Sequence, residues 1–77
     1  MKECTHLLIS GRVQGVGYRW FTRNSAQKEG LLGWCRNTTD GRVEALLYGD
    51  PAAIKRCIQQ LQQGPPSSEV GHIRHSV

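Results

Sequence analysis

The sequence contains few cysteines and few aromatic residues, and it has no long apolar run. Its three cysteines, Cys4, Cys35 and Cys57, are widely spaced and form no CxxC pair. This disfavours a disulfide framework or a zinc site and favours free thiols, with Cys35 and Cys57 buried as small hydrophobic residues. No apolar run approaches the roughly 20 residues that a membrane-spanning helix needs. The N-terminal MKECTHLLIS does not resemble a signal peptide, so we expect a cytoplasmic protein without a membrane partner.

Length and charge narrow the class of protein further. A chain of 77 residues corresponds to a single domain, which we assign to residues 1–77. Such a small domain buries only about 60% of the surface of its unfolded chain, so its stability margin is small. Ten basic against six acidic residues leave a net charge of +4, which favours an anionic partner such as nucleic acid, a phosphate ester or a carboxylate.

Hydrophobic periodicity and turn residues predict the order β-α-β-β-α-β. The strands are expected at 5–10, 31–36, 43–48 and 70–77, and the helices at 18–28 and 51–63. Asp50 is expected to cap the second helix, Pro51 suits its first position, and Gly64 ends it. This order predicts an α+β, ferredoxin-like split βαβ sandwich with two helices on one face of an antiparallel sheet. The fold hosts enzymes, metal carriers and RNA binders, so it does not define the function.

The segment GRVQGVGYR, residues 11–19, contains more glycine than a simple turn requires. Glycines at 11, 15 and 17 allow consecutive amides to face a common concavity that binds anions. The loop enters the start of the first helix, where Arg19 can add a planar cationic fork. It matches neither the Walker nor the dinucleotide-binding pattern. The alternative is a flexible connection with a surface arginine.

Three segments resemble the acylphosphatase family. ISGRVQGVGYR at 9–19 is similar to its first motif, GWCRNTTDGRV at 33–43 with Gly49 beyond it to its second, and GPPSS at 64–68 to its link into the fourth strand. The resemblance covers nearly the whole chain. It implies a ferredoxin-like fold and hydrolysis of the carboxyl–phosphate bond of acyl phosphates, with no metal and no cofactor.

The resemblance also implies the site residues. Asn37 would hold the attacking water, and Arg19 would bind the phosphoryl group. The substrate-binding set would be Gln14, Gly15, Val16, Gly17, Tyr18 and Arg19, mainly through backbone amides. Inorganic phosphate and other anions are then expected as inhibitors. Without the family, Asn37 is more simply interpreted as a turn residue.

The sequence departs from the family pattern in two places. Tyr18 stands where phenylalanine is usual, and its hydroxyl must reach water or a hydrogen-bond partner. Family members also usually continue to a fifth strand, beside the strand that leads to Asn37, whereas this chain stops at Val77. We therefore expect a domain truncated at the C-terminus, less stable and less active than usual, that self-associates through an uncovered edge strand.

Two other functions compete with hydrolysis. A non-catalytic anion- or nucleic-acid-binding module should show aromatic residues on the exposed sheet face or a dense basic stripe. Three of the five aromatic residues lie in the first loop and helix, which disfavours nucleic acid as a partner. The front domain of a larger carbamoyl-transferring maturation protein would require downstream zinc-finger cysteines, which this chain lacks. His6, His72 and His75 lie outside both motifs, and we expect none to be catalytic.

Overall fold

The sheet and helices follow the predicted order. The structure is a computed structural model that describes residues 1–77. Its elements are β1 (Glu3–Arg12), α1 (Tyr18–Lys28), β2 (Leu32–Asn37), β3 (Val43–Gly49), α2 (Pro51–Gln63) and β4 (Glu69–Ser76). The four strands form one antiparallel sheet in the order β2-β3-β1-β4. The predicted α+β class and antiparallel sheet are confirmed.

The core lies between the sheet and the two helices. On β3, Val43, Ala45 and Leu47 are buried on the helix side, whereas the residues between them face the other way. Leu7 and Ile9 of β1 pair with Ala45 and Val43 and are fully buried beside them. One face of the sheet is therefore covered by helices and the other is open.

The second helix has the predicted length, but its cap differs from the prediction. Asp50 occupies the N-cap position, yet its exposed side chain makes no capping hydrogen bond, so the prediction that it caps α2 is wrong. The backbone carbonyl of Asp50 accepts the N–H of Ile54 at 3.0 Å. Because Pro51 has no N–H, the first turn has one fewer donor to satisfy.

Strand ends shift where pairing across the sheet extends them. β1 is longer than the predicted 5–10 because Glu3 pairs with Gly49 and Arg12 pairs with Glu69. Asn37, expected to open the connection, instead pairs with Val43 as the last residue of β2. These extensions depend on partners that are distant in sequence, and local periodicity does not report such partners.

The cysteines are free, but only one is as buried as expected. Cys57 is fully buried in the core, Cys35 is half-buried on β2, and Cys4 is exposed. Burial raises the pKa of the Cys57 thiol to about 11, with the nearby negative charge of Glu29 adding to the effect. Cys57 therefore acts as a small hydrophobic residue.

The strand β2 lies at one edge of the sheet and has no partner on its outer side. It is exposed along most of its length, and its Leu32 and Trp34 side chains project from the open face. An unpaired strand edge is a site where another chain can add. Self-association through this edge stays a prediction. Neither helix has the length and apolar character needed to cross a membrane.

Tyr18, the residue that departs from the family pattern, is anchored at both ends of its side chain. Its ring is only 1% exposed, and its hydroxyl donates a 2.6 Å hydrogen bond to the carbonyl oxygen of Leu61. That carbonyl would normally accept the N–H four residues later, but residue 65 is proline and has no N–H. The tyrosine hydroxyl therefore satisfies a buried acceptor that α2 itself cannot satisfy.

We expect Tyr18→Phe to lower the free energy of unfolding by about 1–3 kcal/mol, because it leaves the buried Leu61 carbonyl without a donor. Urea unfolding followed by circular dichroism measures the change. Tyr48→Phe is the matched control, since Tyr48 is 43% exposed and its hydroxyl makes no hydrogen bond within the protein. Equal stability of the two variants would contradict the role given to the Tyr18 hydroxyl.

Candidate active site

The glycine-rich loop between β1 and α1 is fixed by its apolar residues. Val13 is 1% exposed at one end, Tyr18 is equally buried at the other, and Val16 packs against the core between them. Gly15 and Gly17 are exposed and have φ angles of 72° and 79°, in the left-handed region that disfavours residues with a Cβ atom. The buried apolar residues therefore hold the loop in one defined conformation, and it is not a flexible connection.

Several backbone amides of this loop have no partner within the protein. The N–H groups of Gly15, Val16 and Gly17 donate to no backbone acceptor, and the first such bond after the loop runs from Phe21 N–H to the Gly17 carbonyl at 3.0 Å. The opening amides of α1 are likewise free of intrahelical partners. The first turn of α1 contains no acidic residue. Together these groups provide positive potential and several hydrogen-bond donors for an anion.

Arg19 places an unpaired cation beside these amides. It is the second residue of α1, its side chain is exposed, and its guanidinium takes part in none of the ion pairs of the protein. The thiol of Cys35 lies 3.6 Å from the Arg19 carbonyl oxygen. The first turn of α1 therefore lies directly against β2.

Asn37 lies on the same side of the sheet as that contact. It pairs with Val43, whose side chain is fully buried under the helices, and it is two residues from Cys35 on the same strand. The alternation of a strand then directs Asn37 and Cys35 to the helix side. The Asn37 side chain is exposed and makes no hydrogen bond within the protein, so its amide is available to a ligand.

The turn that follows Asn37 is closed by its own polar groups. Thr38 N–H donates to the Arg42 carbonyl at 2.8 Å, and Arg42 N–H donates to the Thr38 hydroxyl at 3.0 Å. The Arg42 guanidinium and the Thr38 hydroxyl both donate to the Asp40 carboxylate, which lowers the pKa of Asp40 to about 2. Asp40 is therefore ionised at neutral pH, and its hydrogen bonds with Thr38 and Arg42 hold the turn together.

Gln14 connects the loop to this turn. Its side-chain amide nitrogen donates to the carbonyl oxygens of Thr38 at 2.8 Å and Arg42 at 2.9 Å. The side-chain nitrogen is therefore occupied, and the backbone N–H of Gln14 is the donor that it can offer to an anionic substrate. The two hydrogen bonds tie the glycine loop to the strand end that carries Asn37, and substrate binding by Gln14 stays a prediction.

The structure thus brings the two predicted motifs to one place. Within the predicted substrate-binding set, the side chains of Val16 and Tyr18 are turned into the core, so these residues can offer only their backbone N–H groups. The linking role of Gln14 and the nearness of Cys35 to Arg19 were not predicted. The alternation of β2 could have indicated the nearness of Cys35 to Arg19. Cys35 and Asn37 are two residues apart and share a face of the strand, and Asn37 was already expected to lie near Arg19.

The histidines lie away from this site. His6 bonds to Glu44 at 2.6 Å on the open face of the sheet, where Arg36 shares the same carboxylate. His72 and His75 pair with Ser10 and Leu7 and point to opposite faces. No group of three or more histidine, cysteine or acidic residues is arranged to hold a metal ion.

The fold is that of a small ferredoxin-like α+β domain, and its free loop amides and unpaired arginine are groups suited to an anion. Comparison with known proteins makes the assignment specific. The acylphosphatase family profile matches residues 5–77. The acylphosphatase of Acaryochloris marina is 50% identical over 70 residues, which cover 91% of this chain and 75% of the relative.

Solved structures agree. An acylphosphatase from Bacillus subtilis superposes with a TM-score of 0.94 at 38% identity, covering 99% of this chain and 83% of that one. Full-length HypF, solved in a phosphate- and nucleotide-bound form, contains a similar unit (TM-score 0.91, 31% identity), which covers 99% of this chain and 10% of HypF. The chain belongs to the acylphosphatase family, and it is an enzyme that hydrolyses acyl phosphates.

The contacts of Gln14 lead to a prediction about the site. Gln14→Glu places a carboxylate, which accepts hydrogen bonds, against two carbonyl oxygens, and it should push the Asn37 strand end away from the loop. We expect kcat to fall by about 10²-fold, the order of loss that a small misplacement can cause. KM should change much less, because the loop and Arg19 remain.

Steady-state kinetics with benzoyl phosphate measures both constants. Gln62→Glu, at an exposed position on α2, is the control of equal charge. A lower pH that protonates the introduced carboxyl should restore part of kcat in Gln14→Glu. Wild-type kcat in this variant at neutral pH would rule out the positioning role.

Proposed function

We propose that the phosphoryl group of the acyl phosphate binds to the loop amides and Arg19, and that Asn37 orients the attacking water. The water oxygen forms a bond to phosphorus while the bond from phosphorus to the carboxyl oxygen breaks. The products are the carboxylate and dihydrogen phosphate, with the water proton passing to an oxygen of the phosphoryl group itself. Each atom and charge of substrate and water is accounted for in these two products.

The proposed mechanism needs neither a metal nor a separate acid or base. A carboxylate is a good leaving group, so it can depart without protonation. The transferring phosphoryl group requires positive charge around its oxygens, and Arg19 and the free amides of Gly15, Val16 and Gly17 can supply it. Positioning of water by Asn37 then supplies much of the remaining catalysis. Inorganic phosphate should compete for the same cradle.

One observation carries this proposal more than any other. Gln14 hydrogen-bonds to the two carbonyls of the turn that follows Asn37, which couples the anion-binding loop to the proposed water-binding residue. Arg19 and Asn37 each have an exposed polar side chain without a protein partner. Unpaired polar groups on two elements that are tied together are suited to a shared ligand.

Alanine variants of the two proposed catalytic residues test the mechanism. Arg19→Ala should lower kcat/KM for benzoyl phosphate by at least about 10²-fold and weaken inhibition by phosphate, because the phosphoryl cradle loses its cation. Asn37→Ala should lower kcat by about 10²–10³-fold with little change in KM or in phosphate inhibition, because only the water loses its ligand. EDTA should leave the wild-type rate unchanged.

An exposed arginine and an exposed asparagine outside the proposed site provide matched controls for these variants. Arg74→Ala removes an exposed arginine without an ion pair from β4, and Asn24→Ala removes an exposed asparagine from α1. Both should retain wild-type kinetics. Full activity of Arg19→Ala or Asn37→Ala would show that the residue has no role in the mechanism. Loss of activity with EDTA would show that the reaction requires a metal ion.

A second candidate is a nucleic-acid-binding role, because the open face of the sheet carries two of the five aromatic side chains. Trp34 and Tyr48 are 47% and 43% exposed there, which is the feature such a module uses for base stacking. The arginines of this face do not form a dense basic stripe, because Arg36 on β2 is already paired with Glu44 and Arg74 lies on β4, at the opposite edge of the sheet. We therefore expect no binding of single-stranded RNA at physiological salt. Fluorescence anisotropy of a dye-labelled single-stranded RNA checks this, and binding that survives Arg19→Ala but is lost in Trp34→Ala would favour the second role.

A further inference from the structure

The two long sides of α1 face different neighbours. One side faces β2, where the Cys35 thiol contacts the Arg19 carbonyl oxygen at 3.6 Å. The other side faces α2, where Phe21 lies near Gln60. Trp20 belongs to this second side, because it lines the same surface depression as Phe21 and Gln60. Its surroundings are therefore independent of whatever lies beside the outer edge of β2.

Trp20 is a large apolar side chain at the mouth of the proposed phosphoryl site. It is the third residue of α1, directly after Arg19, and it is 68% exposed. Side chains of a helix lean toward its N-terminus, so the indole of Trp20 is directed toward the end of α1 at which the glycine loop enters. A single exposed apolar residue is common on a protein surface. The position of Trp20 beside free amides and an unpaired arginine is what points to a ligand.

The geometry of phosphoryl transfer sets the direction of the acyl group. The attacking and leaving oxygens lie roughly in line on opposite sides of phosphorus. In the proposed function the water is held by Asn37, which ends β2, so it approaches phosphorus from the β2 side of α1. The leaving carboxyl oxygen and the acyl group that it carries must then lie on the side away from β2. Trp20 lies on that same side.

We propose that Trp20 contacts the acyl group of the substrate with its indole ring, and that this contact makes the enzyme favour flat aryl groups such as benzoyl over acetyl. The inference rests on the proposed function, because the direction of the acyl group follows from the water at Asn37. Stacked and edge-to-face arrangements of two rings are both favourable, and an exposed indole at the rim of the site allows either.

The depression between α1 and α2 limits the acyl group to about one ring. Its volume is about 420 Å³, and its two apolar residues, Trp20 and Phe21, lie at the end nearest the loop. The remaining lining residues are polar: Asn24, Ser25, Lys28 and Gln60. An apolar group therefore gains contact close to the phosphoryl site and little beyond it.

Trp20→Ala tests the proposal with two substrates, benzoyl phosphate and acetyl phosphate. We expect kcat/KM for benzoyl phosphate to fall by about three- to tenfold, the range that one aromatic pair supplies, and kcat/KM for acetyl phosphate to change by less than about twofold. The acidity of the leaving groups does not enter, because each substrate is compared with itself in wild type and variant. Trp20→Phe keeps a ring and should recover most of the loss.

The second tryptophan of the chain provides the matched control. Trp34 is 47% exposed on the open face of the sheet, so Trp34→Ala removes the same side chain from a surface away from the proposed acyl position. This variant should keep the wild-type ratio of kcat/KM for benzoyl phosphate to kcat/KM for acetyl phosphate. Urea unfolding curves verify that both alanine variants are folded under the assay conditions.

A binding measurement tests the contact without turnover. Trp34→Phe leaves Trp20 as the only tryptophan, so the indole fluorescence then reports on Trp20 alone. Phenacylphosphonate carries a methylene in place of the bridging oxygen of benzoyl phosphate and cannot be hydrolysed at that bond. Its binding should change the Trp20 emission with a half-saturation equal to its inhibition constant. Acetonylphosphonate, which lacks the ring, should change the emission much less at saturation.

The outcomes separate this inference from the proposed function. An unchanged ratio of the two kcat/KM values in Trp20→Ala, with hydrolysis still dependent on Arg19, overturns the role of Trp20 and leaves the proposed function standing. Inhibition by phenacylphosphonate without a change in Trp20 emission does the same, as does a loss of the benzoyl preference in Trp34→Ala but not in Trp20→Ala. Hydrolysis that does not depend on Arg19 overturns the proposed function and this inference together.

Discussion

The buried side chain of Tyr18 is the constraint on which the site depends. The loop amides can face an anion only if the start of α1 is fixed, and Tyr18 is the first residue of that helix. Its ring fills the core beneath the loop, and its hydroxyl bonds to the last turn of α2 at Leu61. A single side chain therefore joins both helices and the loop. Donors that are already held in position need no reorganisation when charge develops, so this rigidity favours the proposed mechanism.

The distribution of charge supports the same site. Three arginines outside α1 are each neutralised by a carboxylate: Arg36 by Glu44, Arg42 by Asp40 and Arg56 by Glu29. Arg19 and Arg23, on one face of α1, have no such partner. Arg19 therefore presents an unneutralised charge where the free amides lie. The net charge of +4 also includes unpaired residues elsewhere, such as Lys2, Lys55 and Arg74, and it favours the approach of a dianionic substrate.

The sequence was sufficient for those features that depend on local chemistry or on a recognised motif. Alternation on β3, the helix stop at Gly64 and the two motifs containing Arg19 and Asn37 led to the element order and to the family. Features that depend on distant partners were not accessible. The hydroxyl of Tyr18 finds Leu61 across 43 residues, and Gln14 finds Thr38 across 24. Neither partner carries a local signal, because any backbone carbonyl could accept these bonds.

Asn37 lies at the end of an edge strand, and a long-range contact compensates for the missing hydrogen bonds on the outer side of that strand. It ends β2, the exposed edge strand, which is bonded to a neighbour on one side only. An edge strand alone would hold Asn37 loosely, and a displacement of a catalytic group by the order of 1 Å can cost about 10²-fold in rate. Gln14 adds a second attachment from the loop to the turn beyond Asn37.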